Sequence, residues 1–258
     1  MSQQVDASRI PELKDVVSRA LDSARRAGAT QAEADASLQQ GLSVSVRLGE
    51  VETVEYQRDR ALGITVYFGH RKGSASTGDL SAQSVEDMVA KACAIARHTA
   101  EDECAGLADP ALLQTQFRDL QLDFPWELSA DSAVELAREC EAAGRAVDTR
   151  LSNSEGASVS SQRGVRVYGN THGFLAGDCG TSHSLSCVLL AQVGEDMQRD
   201  YWYTSARDPR DLEAAELVGR RAGQRAIARL GARRLPAQGI KRLLAVVLVI
   251  AGLKLLLT

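Results

Sequence analysis

From Leu42 to Leu80 apolar and polar residues alternate, pause at glycine and alternate again, the period-two pattern of antiparallel strands joined by tight turns. The inward set is Leu42, Val44, Val46 and Leu48 on one strand and Leu62, Ile64, Val66 and Phe68 on the next. A slip of phase between Thr53 and Val54 predicts a bulge. One face of this sheet should be buried and the other wet.

Elsewhere the period changes to that of helices. A first helix is predicted from Pro11 to Ala27, with Leu13, Val16, Val17, Ala20, Leu21 and Ala24 on one stripe and Gly28 at its stop. Ser81 is a suitable cap for a second, whose buried face is Val85, Met88, Val89, Ala92 and Ala96. The stretch His98 to Leu128, with Pro110 and Pro125, reads as a connector holding at most a short helix. A third helix, Ser129 to about Asp148, presents Leu136, Cys140, Ala143 and Val147. Strands follow near Leu151 to Ser160, Gly164 to Asn170, Gly173 to Ala191 and Met197 to Ser205. A fourth helix is opened by Asp208-Pro209, runs to Leu230 and is ended by Gly231. Gly219 and Gly223 inside it weaken it by about 1 kcal/mol each relative to alanine, which points to close helix packing.

The order therefore repeats. A shift of 132 positions carries Asp79-Leu80 onto Asp211-Leu212 and Ala94-Ile95-Ala96-Arg97 onto Ala226-Ile227-Ala228-Arg229. The fold class expected is α+β: two similar helix, antiparallel strand-meander, helix units, residues 1–100 and 129–238, joined by 101–128, with helices packed on the sheets. The two units are expected to face each other through their sheets and to build a cleft.

Residues 239–258 break the pattern. The run Leu243 to Leu257, fifteen residues interrupted only by Lys254, would span about 22 Å as a helix, short of a hydrocarbon core of about 30 Å. Its leucines, valines and isoleucine still favour partition into a bilayer. Three readings stand open: a membrane tether through 243–257, a junction with unrelated sequence, or a buried strand or helix.

Composition narrows the partners. The net charge is −4; without Lys241, Arg242 and Lys254 of the tail, 27 basic residues oppose 34 acidic ones over positions 1–238, or −7. Nucleic acid is an improbable partner for such a body. The opening residues MSQQVDASRIPELKD hold no apolar core of a secretory signal, so a cytoplasmic location is expected. Five cysteines without a C-x-x-C pair should then be reduced and mostly packed away.

Candidate chemistry is sparse. The histidines are His70, His98, His172 and His183, none with a second histidine one helical turn away, the spacing a zinc peptidase helix needs. His172 and His183, eleven residues apart on neighbouring predicted strands, could approach each other, but no third ligand is evident. No serine lies in a G-x-S-x-G elbow, and the glycine-bearing stretches at Gly69 to Gly73 and Gly169 to Gly173 read as hairpin turns. No catalytic or metal residue is assigned. The surface candidate for a substrate or partner is Tyr201, Trp202 and Tyr203, where alternation puts the two tyrosines on one face and the tryptophan on the other.

The stretches RLGEVETVEY, ALGITVY, RKGSASTGDLS, SNSEG, GNTHGFL, SHSLS and DMQRDYWYT resemble the PmbA/TldD family in its PmbA (TldE) branch, densely from about Val16 to Arg234. The resemblance implies the amino-terminal part of a non-catalytic subunit of a heterodimeric metallopeptidase. It implies that a TldD-like partner carries the zinc, and that the complex acts on unfolded or modified peptides. Some members carry an older description as modulators of DNA gyrase, so a protein-binding regulator without proteolytic role is the alternative, beside an inert truncated fragment. The family's metal motif belongs to a second half absent here, so no activity of this chain alone is expected.

Overall fold

The computed structural model describes residues 5–113 and 117–234. Helix α1 (Ile10–Arg26) precedes strands β1 (Gln31–Arg47), β2 (Glu50–Phe68) and β3 (Arg71–Thr77), and helix α2 (Ala82–His98) closes this half. The second half repeats the order with α3 (Ala130–Arg145), β4 (Asn153–Asn170), β5 (Leu175–Val193), β6 (Asp196–Ala206) and α4 (Ala215–Arg234). The expected α+β architecture is present, but the halves do not face each other. They lie edge to edge in one antiparallel sheet of order β3-β2-β1-β4-β5-β6, joined where β1 pairs with β4. No cleft between two sheets results.

The long central strands run roughly 60 Å, and all four helices lie on one face of them. Along β1 the even-numbered residues Ala32, Ala34, Ala36, Leu38, Leu42, Val44 and Val46 are buried, so alternation holds over the full strand. Helices α1 and α2 cover one end with Leu13, Val17, Met88 and Val89 against Ala34, Ile64 and Val167. Helices α3 and α4 cover the other with Ala137, Cys140, Val218 and Ala222 against Val44, Val159 and Leu189. Between these two cores the same face carries Gln40, Ser161, Arg163, Thr181 and His183, a polar seam.

Several boundaries differ from the sequence reading. Leu48 is 45% exposed at the tip of the β1–β2 hairpin, with φ 53° beside Gly49 at 83°, because two positive φ values in a two-residue turn match the twist of the strands. The bulge lies between Ser45 and Val46 on β1, where Val51 and Thr53 become the partners and Glu52 is the extra residue. The predicted break at Ser161 to Arg163 is absent: β4 is continuous because its backbone is paired on both sides while its side chains cross the seam. Helix α3 buries Ala133, Val134, Ala137, Cys140, Glu141 and Gly144; of the predicted stripe Cys140 is among them and Leu136 and Val147 pack partly buried against the same core. Asp208 caps a single 3-10 turn, α4 begins only at Ala215, and Gly231 lies within it. Among the described residues no helix is long and apolar enough to cross a membrane; the segment 239–258 lies outside them.

Candidate functional site

The connector's course shapes the seam. Its residues 122–124 lie along the edge of β5, where the Thr181 N–H donates to the Leu122 carbonyl at 2.9 Å and the Phe124 N–H to Thr181 Oγ1 at 3.0 Å. Arg163 grips Asp123 through a two-point contact, its Nε at 2.7 Å from Oδ1, the fork geometry that suits guanidinium to carboxylate. The chain then turns under the sheet as Pro125 to Leu128, leaving a groove of about 410 Å³ whose mouth is formed by Tyr56, Gln57 and Arg58 of β2.

At the groove's floor His183 is 1% exposed. Its Nε2 lies 3.0 Å from the Phe124 carbonyl and its Nδ1 3.0 Å from Ser161 Oγ. A carbonyl only accepts, so Nε2 carries the hydrogen, and in the neutral ring Nδ1 accepts from the Ser161 hydroxyl. Trp126 packs edge-on against the imidazole at 5.3 Å. A serine–histidine contact alone is not a hydrolytic centre: a nucleophile needs a base that a third group orients toward substrate, together with donors for an oxyanion. Here the imidazole is enclosed and fastens the connector to the sheet. His183 is thus an interior mid-strand residue paired between Ser161 and Ala206. The inward parity it shares with Leu185 and Cys187 was the available signal.

Among the described residues no helix covers the opposite face of the sheet, which is rich in hydroxyls. One cross-strand row reads Ser43, Ser160, Ser184, Ser205 and the next Ser45, Ser158, Ser186, Tyr203. Tyr201 and Tyr203 stand exposed on this face with rings stacked at 6.2 Å. Trp202 points to the helices, where Arg221 and Arg225 lie over its ring at 5.3 and 5.5 Å and Nε1 reaches Glu213. The alternation predicted for these three residues is the one observed.

Toward the α1 end of this face the hydroxyls of Tyr67 and Tyr168 donate to Glu33 at 3.1 and 2.8 Å. Burial, followed by the charge of Glu33, pushes the Tyr67 phenol up to about 12. In the unfolded chain the phenol ionises near 10, so between about pH 10 and 12 the unfolded state binds fewer protons and stability falls as pH rises. Urea midpoints measured across that window should decline, and Tyr67→Phe should flatten the decline; an unchanged slope in the variant would remove Tyr67 as its source.

Comparison with known proteins decides the family. The sequence model described as PmbA/TldA metallopeptidase domain 1 matches residues 32–96, and the model of the central domain matches residues 123–230. The chain belongs to the PmbA/TldD family. It is 47% identical over 232 residues to the metalloprotease PmbA of Escherichia coli O157:H7, covering 90% of this chain and 51% of that one. A PmbA homolog of Haemophilus influenzae is 41% identical, with 89% and 51% covered. The chain thus spans about half the length of these curated relatives. Among solved structures, TldE from Thermococcus kodakarensis superposes with a TM-score of 0.66 at 18% identity, covering 82% of this chain and 47% of that one. A Bacteroides thetaiotaomicron protein described as a modulator of DNA gyrase gives 0.76 at 23%, with 85% and 50% covered. These two likenesses establish the fold.

Zinc is the metal that the resemblance to PmbA/TldD peptidases implies. Among the described residues no group of three or more His, Cys, Asp or Glu side chains converges. His172 sits in the turn after β4 and His183 well along β5 opposite Ser161, so the two do not meet. The Nε2 of His172 is buried without a hydrogen-bond partner among the described residues, yet one orphaned nitrogen is not a tetrahedral site. These residues do not fit the metal.

Proposed function

We propose that this chain is the amino-terminal, non-catalytic part of a PmbA/TldE-type subunit that pairs with a TldD-like, zinc-bearing chain and helps to shape the chamber admitting unfolded or modified peptide. The observation that carries the reading is the 47% identity to a PmbA metalloprotease over 90% of this chain. The uncovered sheet face supports it. Rows of short serine side chains offer donors and acceptors at strand spacing without selecting a shape, and the stacked Tyr201 and Tyr203 add an apolar surface at one margin. Such a floor suits extended peptides of varied sequence, whose backbone supplies most of the hydrogen bonds. Trp202 contributes by holding β6 to α4 rather than by touching substrate.

The reading has a direct test. The purified chain alone should cleave no unfolded peptide, and affinity capture from cells should recover a TldD-like chain. Chelator-sensitive turnover by the isolated chain would contradict the non-catalytic role. Capture of a topoisomerase without any TldD-like chain would replace this reading with that of a gyrase-binding regulator.

A further inference from the structure

Two different elements flank the outer side of β5. Strand β6 pairs with it only from His183 to Val193. Before His183 the connector takes over, with the Thr181 N–H donating to the Leu122 carbonyl at 2.9 Å. The connector follows β5 less closely than a paired strand would, and a cavity of about 710 Å³ lies between residues 117–124, the start of α1 and Gly177 to Cys179 of β5. That volume is within the usual range of ligand sites, about 300–1,000 Å³.

The walls are apolar and half finished. Ile10, Leu122 and Phe124 line the cavity partly buried, whereas Phe117 and Leu120 stand 49% and 59% exposed, so a ligand that covered them would gain apolar burial. The turn that presents them is set in advance. The Asp119 carboxylate accepts from the Gln121 N–H at 2.8 Å, and Gln121 holds φ at 51°, a left-handed conformation that a residue with a side chain adopts at a cost. Chemistry is not indicated here: burial pushes the thiol of Cys179, at the β5 wall, up to about 11, which keeps it an unreactive thiol.

The charge of the lining is of one sign. Among the described residues it holds Asp119, Asp123 and Asp178 and no lysine or arginine, Arg118 lying outside it. Asp123 is already matched by Arg163. Asp178 is not: Arg166, its cross-strand neighbour on β4, turns to Asp35 at 3.3 Å, which leaves the Asp178 carboxylate without an ion pair among the described residues. An apolar wall rimmed by unmatched carboxylates suits a side chain with an aliphatic stem and a cationic head. The direction of approach follows from parity, since Asp178 projects to the same face of β5 as Ser182 and Ser184, the hydroxyl-rich face. We propose that this cavity receives a lysine or arginine side chain, with an apolar neighbour, from an extended peptide lying on the serine face, so that the chain selects segments that are both basic and apolar. The inference rests on the peptide-binding reading above and adds to it a preference that the serine rows themselves do not have.

The test is fluorescence anisotropy of the full chain with short labelled peptides, apolar and uncharged except for one position that is lysine, norleucine or glutamate. The lysine peptide should bind about tenfold more tightly than the glutamate peptide, the size of effect that one or two solvent-edged ion pairs supply. The preference should fade in about 1 M salt, where the screening length is about 3 Å. Asp119→Asn combined with Asp178→Asn should bring the two affinities together with an unchanged urea midpoint, because asparagine keeps an acceptor for the Gln121 N–H. Leu120→Ser should weaken the lysine and norleucine peptides alike, and a photoreactive group beside the lysine should label residues 117–124. Equal affinity for lysine and glutamate peptides, a preference that survives in the double asparagine variant, or a free alkylamine that binds as tightly as the peptide would each overturn the proposal. Peptide binding that is indifferent to charge but weakened by Tyr203→Ser would remove this cavity and leave the serine-face reading standing, whereas no peptide binding at all would remove both.

Discussion

Gly219→Ala is expected to destabilise the protein by about 2–4 kcal/mol, opposite in sign to what helix propensity gives. Alanine inside a helix is favoured over glycine by about 1 kcal/mol. At Gly219, however, a Cβ would collide with the Cys140 carbonyl oxygen, lie 2.8 Å from its carbon and reach 3.0 Å from the Gly144 nitrogen. All three are backbone atoms of α3 and cannot rotate away. Gly144 meets the same crossing from the other side, where a Cβ would stand 2.7 Å from the Gly219 carbonyl and 2.6 Å from Leu189 Cδ1. Helices α3 and α4 would have to part, loosening the core of Val218, Ala222, Cys140 and Leu189 between them, and overpacking of this kind costs more than propensity returns. Gly231→Ala is the control, since a Cβ there meets nothing within 4 Å; it should gain up to about 1 kcal/mol. Urea titrations of the two variants should move in opposite directions. A neutral or stabilised Gly219→Ala would mean that the helices are not in backbone contact.

The same crossing explains which parts of the fold were legible in the sequence. The α1 stripe, Leu13 to Ala24, matches the buried residues position for position, and the α2 face, Val85 to Ala96, misses only Cys93, because those helices lay ordinary apolar stripes on the sheet. On α3 Cys140 was read correctly, but the burial of Gly144 against Gly219 and of Glu141 beneath the hairpin tip was not, because those partners lie outside the helix's own sequence. The polar run Ser161 to Arg163 imitates a turn, since alternation alone cannot distinguish a strand end from a strand crossing between two cores. The Ser161–His183 contact depends on the register of β4 against β5, which no pattern local to either strand reveals.

Glu141→Ala should cost about 3–5 kcal/mol, the largest effect expected of a single side chain here. The carboxylate is 1% exposed, and its two oxygens are the acceptors for the N–H groups of Leu48 and Gly49. Truncation removes two hydrogen bonds to a charged acceptor, worth about 1.5–3 kcal/mol each, and leaves a void where the buried side chain stood. The turn it clasps is strained: Leu48 holds φ at 53°, a region that disfavours side chains by about 1–2 kcal/mol, so without the clasp the hairpin tip should relax. Glu141→Gln keeps one acceptor but sets an amide N–H against a backbone N–H, and should fall between wild type and alanine. Leu48→Asn works in the opposite sense, because Asn-Gly is the pair such turns prefer, and should stabilise by about 1 kcal/mol. Denaturation midpoints give the order Leu48→Asn, wild type, Glu141→Gln, Glu141→Ala, and hydrogen exchange locates the change, with protection at Leu48 and Gly49 lost first in the alanine variant. Full protection of those two amides in Glu141→Ala would show that another group carries the turn.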